Sequence, residues 1–132
     1  MSPPDVLDIR APQDVVAVRQ LVRARTLELK FSLVNQTKVV TAASELARNT
    51  LVYGGGGHVR LESLDMGTRR GVRLTFVDQG PGIPDIERAM TDGFTTGGGL
   101  GLGLSGARRL CDEFAITSAP GQGTTAIITK WG

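Results

Sequence analysis

Glu45 and Asn49 stand four residues apart in Thr41-Ala-Ala-Ser-Glu45-Leu-Ala-Arg-Asn49, a spacing that puts both side chains on one face of a helix. The Asn49 carboxamide offers a neutral oxygen suited to Mg2+, an ion that keeps most of its waters and takes further ligands from phosphates. One turn earlier, the Glu45 carboxylate is placed to accept the proton of an attacking hydroxyl. An isolated pair at this spacing is more often a solvated polar face, and it lies away from the expected core stripe of Ala43, Leu46, Ala47 and Thr50. Asp78 follows the apolar run Val72 to Val77 and precedes Gly80, Pro81 and Gly82. A buried carboxylate needs partners. Asp78 either caps the turn after it, as in many Asp-x-Gly sequences, or accepts a hydrogen bond from the amino group of adenine. The second role excludes guanine, whose 6-oxo group would bring no proton to a carboxylate. Gly80 and Gly82 let backbone pass beneath a flat base without a Cβ, and Pro81 stiffens the turn. The third block, Gly97-Gly-Gly-Leu-Gly101-Leu-Gly103-Leu, presents glycine amides at a helix start, where phosphate binds. In this order the three blocks read as a device for holding ATP.

Two competing phosphate motifs fail on context. Gly101-Leu-Gly103-Leu-Ser-Gly106 has the G-x-G-x-x-G spacing of a dinucleotide site. It follows a glycine loop rather than a strand, has no acid about 20 residues on, and leaves too little chain for a parallel array. A P-loop is excluded because no Gly-Lys-Ser/Thr occurs.

With 132 residues, 40% hydrophobic and 21% charged, the chain is expected to form one globular domain spanning 1–132. No apolar run reaches the ~18 residues of a membrane span. The first ten residues lack the basic-then-apolar layout of a signal peptide, so a cytoplasmic location without membrane partners is expected. Cys111 is the single cysteine and falls in an apolar-periodic stretch, which points to a structural thiol and rules out an internal disulfide. The net charge of +2 is spread over interleaved acids and bases, with only one Trp, one Tyr and four Phe. That pattern lacks the basic, aromatic platform of a nucleic-acid binder. Arg19 and Arg23, four apart on the first helix, face either solvent or an acidic partner.

The elements that must carry these residues follow from periodicity. All eighteen glycines lie after Tyr53, so the rigid scaffold is expected before it and the turns after it. Val6 to Ile9 reads as an opening strand. A helix is expected from Ala11 to about Lys30, with Pro12 in its first turn and Val15, Val18, Leu21 and Val22 inward. The strongest helical pattern runs from about Val34 to Tyr53 and stops at four glycines. His58 to Asp65 and Gly71 to Asp78 read as a hairpin, with the second strand entering the core just before Asp78. A short helix over Asp85 to Met90, a loop over Thr91 to Gly99, a helix over Leu102 to Phe114, and strands Ala115 to Ala119 and Thr124 to Trp131 complete the chain. The expected fold is α+β, a two-layer sandwich in which a mixed, mostly antiparallel sheet carries helices on one face.

The three blocks together resemble the N, G1 and G2 boxes of the GHKL (Bergerat) ATP-binding superfamily. The wider set comprises Ser44 to Asn49, Asp78 to Ile86, Asp92-Gly-Phe94, Gly98 to Gly101, Arg109-Leu110, Asp112-Glu-Phe114 and Lys130-Trp131. It resembles the RsbT-like serine/threonine switch kinases of bacterial stressosomes over nearly the whole chain. That resemblance implies Glu45 as catalytic carboxylate, Asn49 as Mg2+ ligand and Asp78 as adenine reader. It places Gly82 against the base, Thr124 at the adenine through water, and Gly99, Leu100, Gly101 and Gly103 around the phosphates. Gly80, Ile83, Thr95, Thr96 and Leu102 complete the implied nucleotide contacts, and Thr91 to Gly99 the implied lid. It further implies protein substrates with the STAS fold and a PP2C-type phosphatase as partner. The chain departs from histidine kinases in having one histidine, His58, in a glycine-flanked turn, and no room for a dimerisation domain. It departs from anti-sigma-factor kinases in having Tyr53 where they usually carry histidine. An anti-sigma-factor kinase and a nucleotide-sensing binding module with vestigial transfer are the alternative readings. The sequence leaves the oligomeric state open.

Overall fold

A computed structural model of the chain describes residues 4–82 and 104–132. The helix expected at 85–90 and the loop expected at 91–99 lie outside these residues. After the opening strand β1 (Asp5–Ile9), helix α1 (Pro12–Glu28) starts on a proline, whose missing amide hydrogen is no loss in a first turn. Ala11 has no side chain with which to cap the helix. Instead Asp14 Oδ2 accepts from the backbone amides of Arg10 (2.9 Å) and Ala11 (3.0 Å). Of the expected inward stripe, Val18 and Val22 are fully buried and Val15 and Leu21 partly so; Thr26 extends it, its hydroxyl satisfied by the Val22 carbonyl at 2.8 Å. The helix stops where Lys30 turns left-handed (φ 62°) and Phe31 donates to the Thr26 carbonyl at 2.9 Å.

Helix α2 (Leu33–Val52) follows at once, capped by Ser32, whose Oγ accepts from the Asn35 amide at 3.1 Å. It ends at Tyr53, and the glycines after it carry the chain into β2 (Gly57–Asp65). β2 pairs with β3 (Arg70–Asp78) in an antiparallel hairpin, closed by Asp65 Oδ1 accepting from the Gly67 amide at 3.1 Å. The alternation in β3 holds to its end: Val72, Leu74, Phe76 and Asp78 are buried while Arg73, Thr75 and Val77 are half-buried on the other face. The strand therefore does not enter the core at Val77 as expected. Asp78 reaches the helix-covered face by keeping parity with Phe76.

Helix α3 (Leu104–Leu110 among the described residues) ends before the expected Phe114, which belongs instead to β4 (Glu113–Ser118). The apolar spacing of Leu110, Cys111 and Phe114 fits a helix as well as a strand, and tertiary hydrogen bonds decide it. The Asp112 amide donates to the Thr129 carbonyl at 3.0 Å, and Asp112 Oδ2 accepts from the Trp131 amide at 2.7 Å. These bonds commit the chain to pairing with β5 (Thr124–Trp131), the last strand. The sheet order is β1-β2-β3-β5-β4, and every pairing among the described strands is antiparallel, in keeping with the mostly antiparallel sheet expected. α2 packs against both α1 and α3 and covers the sheet through Ala43, Leu46 and Ala47, which meet Val59, Leu74, Phe76 and Ile128 in one core. Each such large side chain, fully buried, contributes about 1.5–3 kcal/mol of transfer free energy. The opposite face of the sheet carries exposed Asp8, His58 and Arg60 and no helix among the described residues.

Candidate functional site

Asp78 ends β3 on the inward face and sits in register between Gly57 of β2 and Thr124 of β5. It is only 8% exposed. One carboxylate oxygen, Oδ1, accepts from the backbone amides of Gly80 (3.0 Å) and Thr124 (3.2 Å). Its other oxygen, Oδ2, has no hydrogen-bond partner among the described residues. Burial pushes the Asp78 carboxyl above the usual carboxylate range, and the two amide hydrogen bonds pull back only part of that rise. The turn-capping role expected of Asp78 is thus present in one carboxylate oxygen.

The backbone packs tightly around this carboxylate. Gly54, at the turn after α2, lies so close that a Cβ there would stand 2.4 Å from Asp78 Cγ. Gly82 adopts φ +78°, and a Cβ there would stand 2.1 Å from the Ala119 carbonyl oxygen, so this position requires glycine twice over. The Pro81 carbonyl accepts from the Gly121 amide at 2.7 Å, which holds the 80–82 turn against the turn between β4 and β5.

Asp78 opens into a cavity of about 350 Å³, counting solvent at its mouth, between α2, α3 and the sheet. Leu46, Phe76, Leu104, Ile116 and Ala126 make most of its wall, and Asn49, Thr50, Tyr53, Asp78 and Thr124 supply the polar side chains. The Thr50 hydroxyl is spent on the Leu46 carbonyl at 2.9 Å, so this residue presents its methyl group. The Thr124 hydroxyl lies 2.8 Å from that of Ser118.

Of the residues expected in the site, Asn49, Asp78 and Thr124 line this one cavity. Gly80 and Gly82 form the turn beside Asp78 without lining it. Glu45 lies half-buried one helical turn before Asn49, also outside the lining. Ile83, Thr95, Thr96, Gly99, Leu100, Gly101, Leu102 and Gly103 lie outside the described residues. The expected separation of Glu45 and Asn49 from the core stripe does not hold: both are half-buried, and Ala42, one turn before Glu45, is fully buried. Asn49 is one turn from Leu46 and stands at the margin of the core rather than across the helix from it. In the sequence Tyr53 stands out only for the histidine it replaces, and Phe76 and Ala126 do not stand out at all. Phe76 and Ala126 precede Asp78 and Thr124 by two positions and so share their strand faces. Tyr53 follows Asn49 by one helical turn, a signal the sequence already contains.

Among the described residues no three His, Cys, Asp or Glu side chains gather as a metal cage. Asn49 in the cavity wall fits a cation that takes its remaining ligands from water and a bound phosphate chain.

Sheet, overlying helices and a mostly apolar cavity beside Asp78 define a two-layer α+β domain. The chain belongs to the histidine kinase-, DNA gyrase B- and HSP90-like ATPase family, whose model matches residues 34–131. The family's ATPase character implies ATP as the ligand. The serine/threonine-protein kinase RsbT of Bacillus subtilis (strain 168) is 45% identical over 131 residues, covering 99% of this chain and 98% of that protein. An anti-sigma F factor of Bacillus licheniformis is 34% identical over 119 residues, covering 85% of this chain and 80% of that one. Among solved structures, the RsbU and RsbW domains of a Mycobacterium tuberculosis protein match the fold with a TM-score of 0.68 at 23% identity, over 98% of this chain and 32% of that longer one.

No helix among the described residues is long and apolar enough to cross a membrane.

Proposed function

We propose that this protein is an ATP- and Mg2+-dependent serine/threonine protein kinase that phosphorylates STAS-domain partners in a partner-switching pathway and, when released, binds and activates a PP2C-type phosphatase. The observation that carries the nucleotide half of this reading is Asp78, with Oδ1 consumed by two backbone amides and Oδ2 left as an acceptor in an apolar cavity. The similarity to a protein serine/threonine kinase at 45% identity over nearly the full length of both chains supports the transfer half.

In this reading Asp78 Oδ2 accepts from the adenine amino group, and Leu46, Phe76 and Ile116 enclose the base. Thr124 approaches the same edge of the base through water. Asn49 would help to hold Mg2+, which would supply neutralisation of the charge developing on the transferred group. Glu45 takes the proton of the acceptor hydroxyl as that oxygen attacks phosphorus and the bond to the leaving diphosphate breaks. Little covalent chemistry is asked of the protein, and positioning supplies most of the rate. Ile83, Thr95, Thr96, Gly99, Leu100, Gly101, Leu102 and Gly103 complete the proposed nucleotide contacts.

Incubation with Mg-ATP and a STAS-domain partner should yield phosphoserine or phosphothreonine on the partner, abolished in Glu45→Ala and Asn49→Ala. Absence of transfer to several cognate partners would overturn the kinase assignment. The anti-sigma relatives favour one further reading, a binding module whose output is complex formation. Phosphatase activation that survives Glu45→Ala in stoichiometric mixtures, with no transfer by the wild type, would support it.

A further inference from the structure

Tyr53 closes α2 one helical turn beyond Asn49, and its ring lines the cavity. Its hydroxyl crosses to the glycine turn after β3 and donates to the Gly82 carbonyl at 3.1 Å. The neighbouring Pro81 carbonyl is already taken by the Gly121 amide at 2.7 Å. The turn that follows Asp78 is therefore tied at two successive carbonyls, one to the β4–β5 connection and one to the helix bearing Asn49 and Glu45. Gly82 adopts φ +78°, and a Cβ there would stand 2.1 Å from the Ala119 carbonyl oxygen, so the turn closes tightly at this point.

From this geometry we infer that Tyr53 is a positioning residue for the nucleotide: its hydroxyl sets the gap between the Asn49 helix and the turn beyond Asp78, and so holds the cavity at the width the base requires. The inference rests on the nucleotide-binding reading above. Phosphoryl transfer itself involves atoms Tyr53 does not touch in that reading, so its contribution belongs to binding and not to the chemical step. A residue that merely filled space would act through its ring, which phenylalanine retains.

The test is Tyr53→Phe, with Mg-ATP affinity measured by calorimetry, steady-state transfer to a STAS-domain partner, and the melting temperature of the ligand-free protein. Loss of one neutral hydrogen bond corresponds to about a two- to tenfold change in affinity. Kd and KM for ATP should therefore rise about two- to tenfold together, with kcat at saturating ATP within about twofold of wild type. Unchanged Kd and KM would overturn the inference, whether or not the melting temperature falls. A fall in kcat at constant KM would also overturn it, placing the hydroxyl in the chemical step. Wild-type protein that binds no adenine nucleotide would take down the functional reading and this inference with it. Wild-type binding with an indifferent Tyr53→Phe takes down this inference alone.

Discussion

Asp78→Asn separates the two duties proposed for the residue at the base of the cavity. The amide is nearly isosteric with the carboxylate, and its oxygen can still accept from the Gly80 and Thr124 amides, now at 3.0 and 3.2 Å. Only the second position changes, from an acceptor to an NH2 donor. A hydrogen bond to a charged group contributes about 1.5–3 kcal/mol, so its loss weakens ATP binding by about 10- to 150-fold. The donor that replaces it meets the adenine amine head-on and adds to the loss. The ligand-free fold responds in the opposite direction. Burial raises the Asp78 carboxyl above its unfolded value, so its favourable contribution is complete below the unfolded pKa and is lost as pH rises through the folded one. At pH 7 the wild type therefore carries a buried charge that the variant lacks. Asp78→Asn should melt at or above wild type near neutral pH, with the advantage vanishing below about pH 4, where both side chains are neutral. Calorimetric titration with ATP and thermal melts from pH 4 to 8 read both effects. Wild-type affinity in the variant, or a ligand-free melting temperature well below wild type at pH 7, would refute the division of labour between Oδ1 and Oδ2.

Three further outcomes are expected. Glu45→Ala should lower kcat for transfer by about 10²- to 10⁴-fold with ATP affinity within about twofold, whereas Asn49→Ala should weaken Mg2+-dependent nucleotide binding itself; steady-state kinetics beside calorimetry distinguish the two. In Gly54→Ala the new Cβ would stand 2.4 Å from Asp78 Cγ, forcing the carboxylate or the turn aside. A cost of about 1–3 kcal/mol in a denaturant melt and weaker ATP binding should follow, and an unperturbed variant would contradict this packing. Burial pushes the Cys111 thiol up to about 12, so a thiol reagent at pH 8 should label native protein far more slowly than denatured protein, and equal rates would show the thiol to be open to solvent.

Much of this architecture is written in local patterns. The steps between Val39, Ala43, Leu46 and Thr50 delimit α2 to within a residue, and the Met66 to Arg69 connection between two β-branched runs marks the hairpin. Asp78 stands out in the sequence because it ends an apolar run and opens an Asp-x-Gly turn, whereas the strand parity that buries it emerges only in the fold. What escaped was set by contacts distant in sequence. The boundary of α3 depends on Asp112 bonding to Thr129 and Trp131, partners that only the folded sheet brings within reach. The half-burial of Glu45 and Asn49 is a matter of tertiary packing around α2, which the periodicity of α2 alone does not encode. The strand order depends on β5 inserting between β3 and β4, a long-range choice of neighbour.

A crystal structure of the protein with Mg2+ and a non-hydrolysable ATP analogue would decide whether Asp78 reads the base. The adenine should lie in the cavity between α2, α3 and the sheet, its amino group within hydrogen-bonding distance of Asp78 Oδ2, with the metal bound to the Asn49 side chain. A nucleotide seated elsewhere, or a base in that cavity making no contact with Asp78, would refute that role.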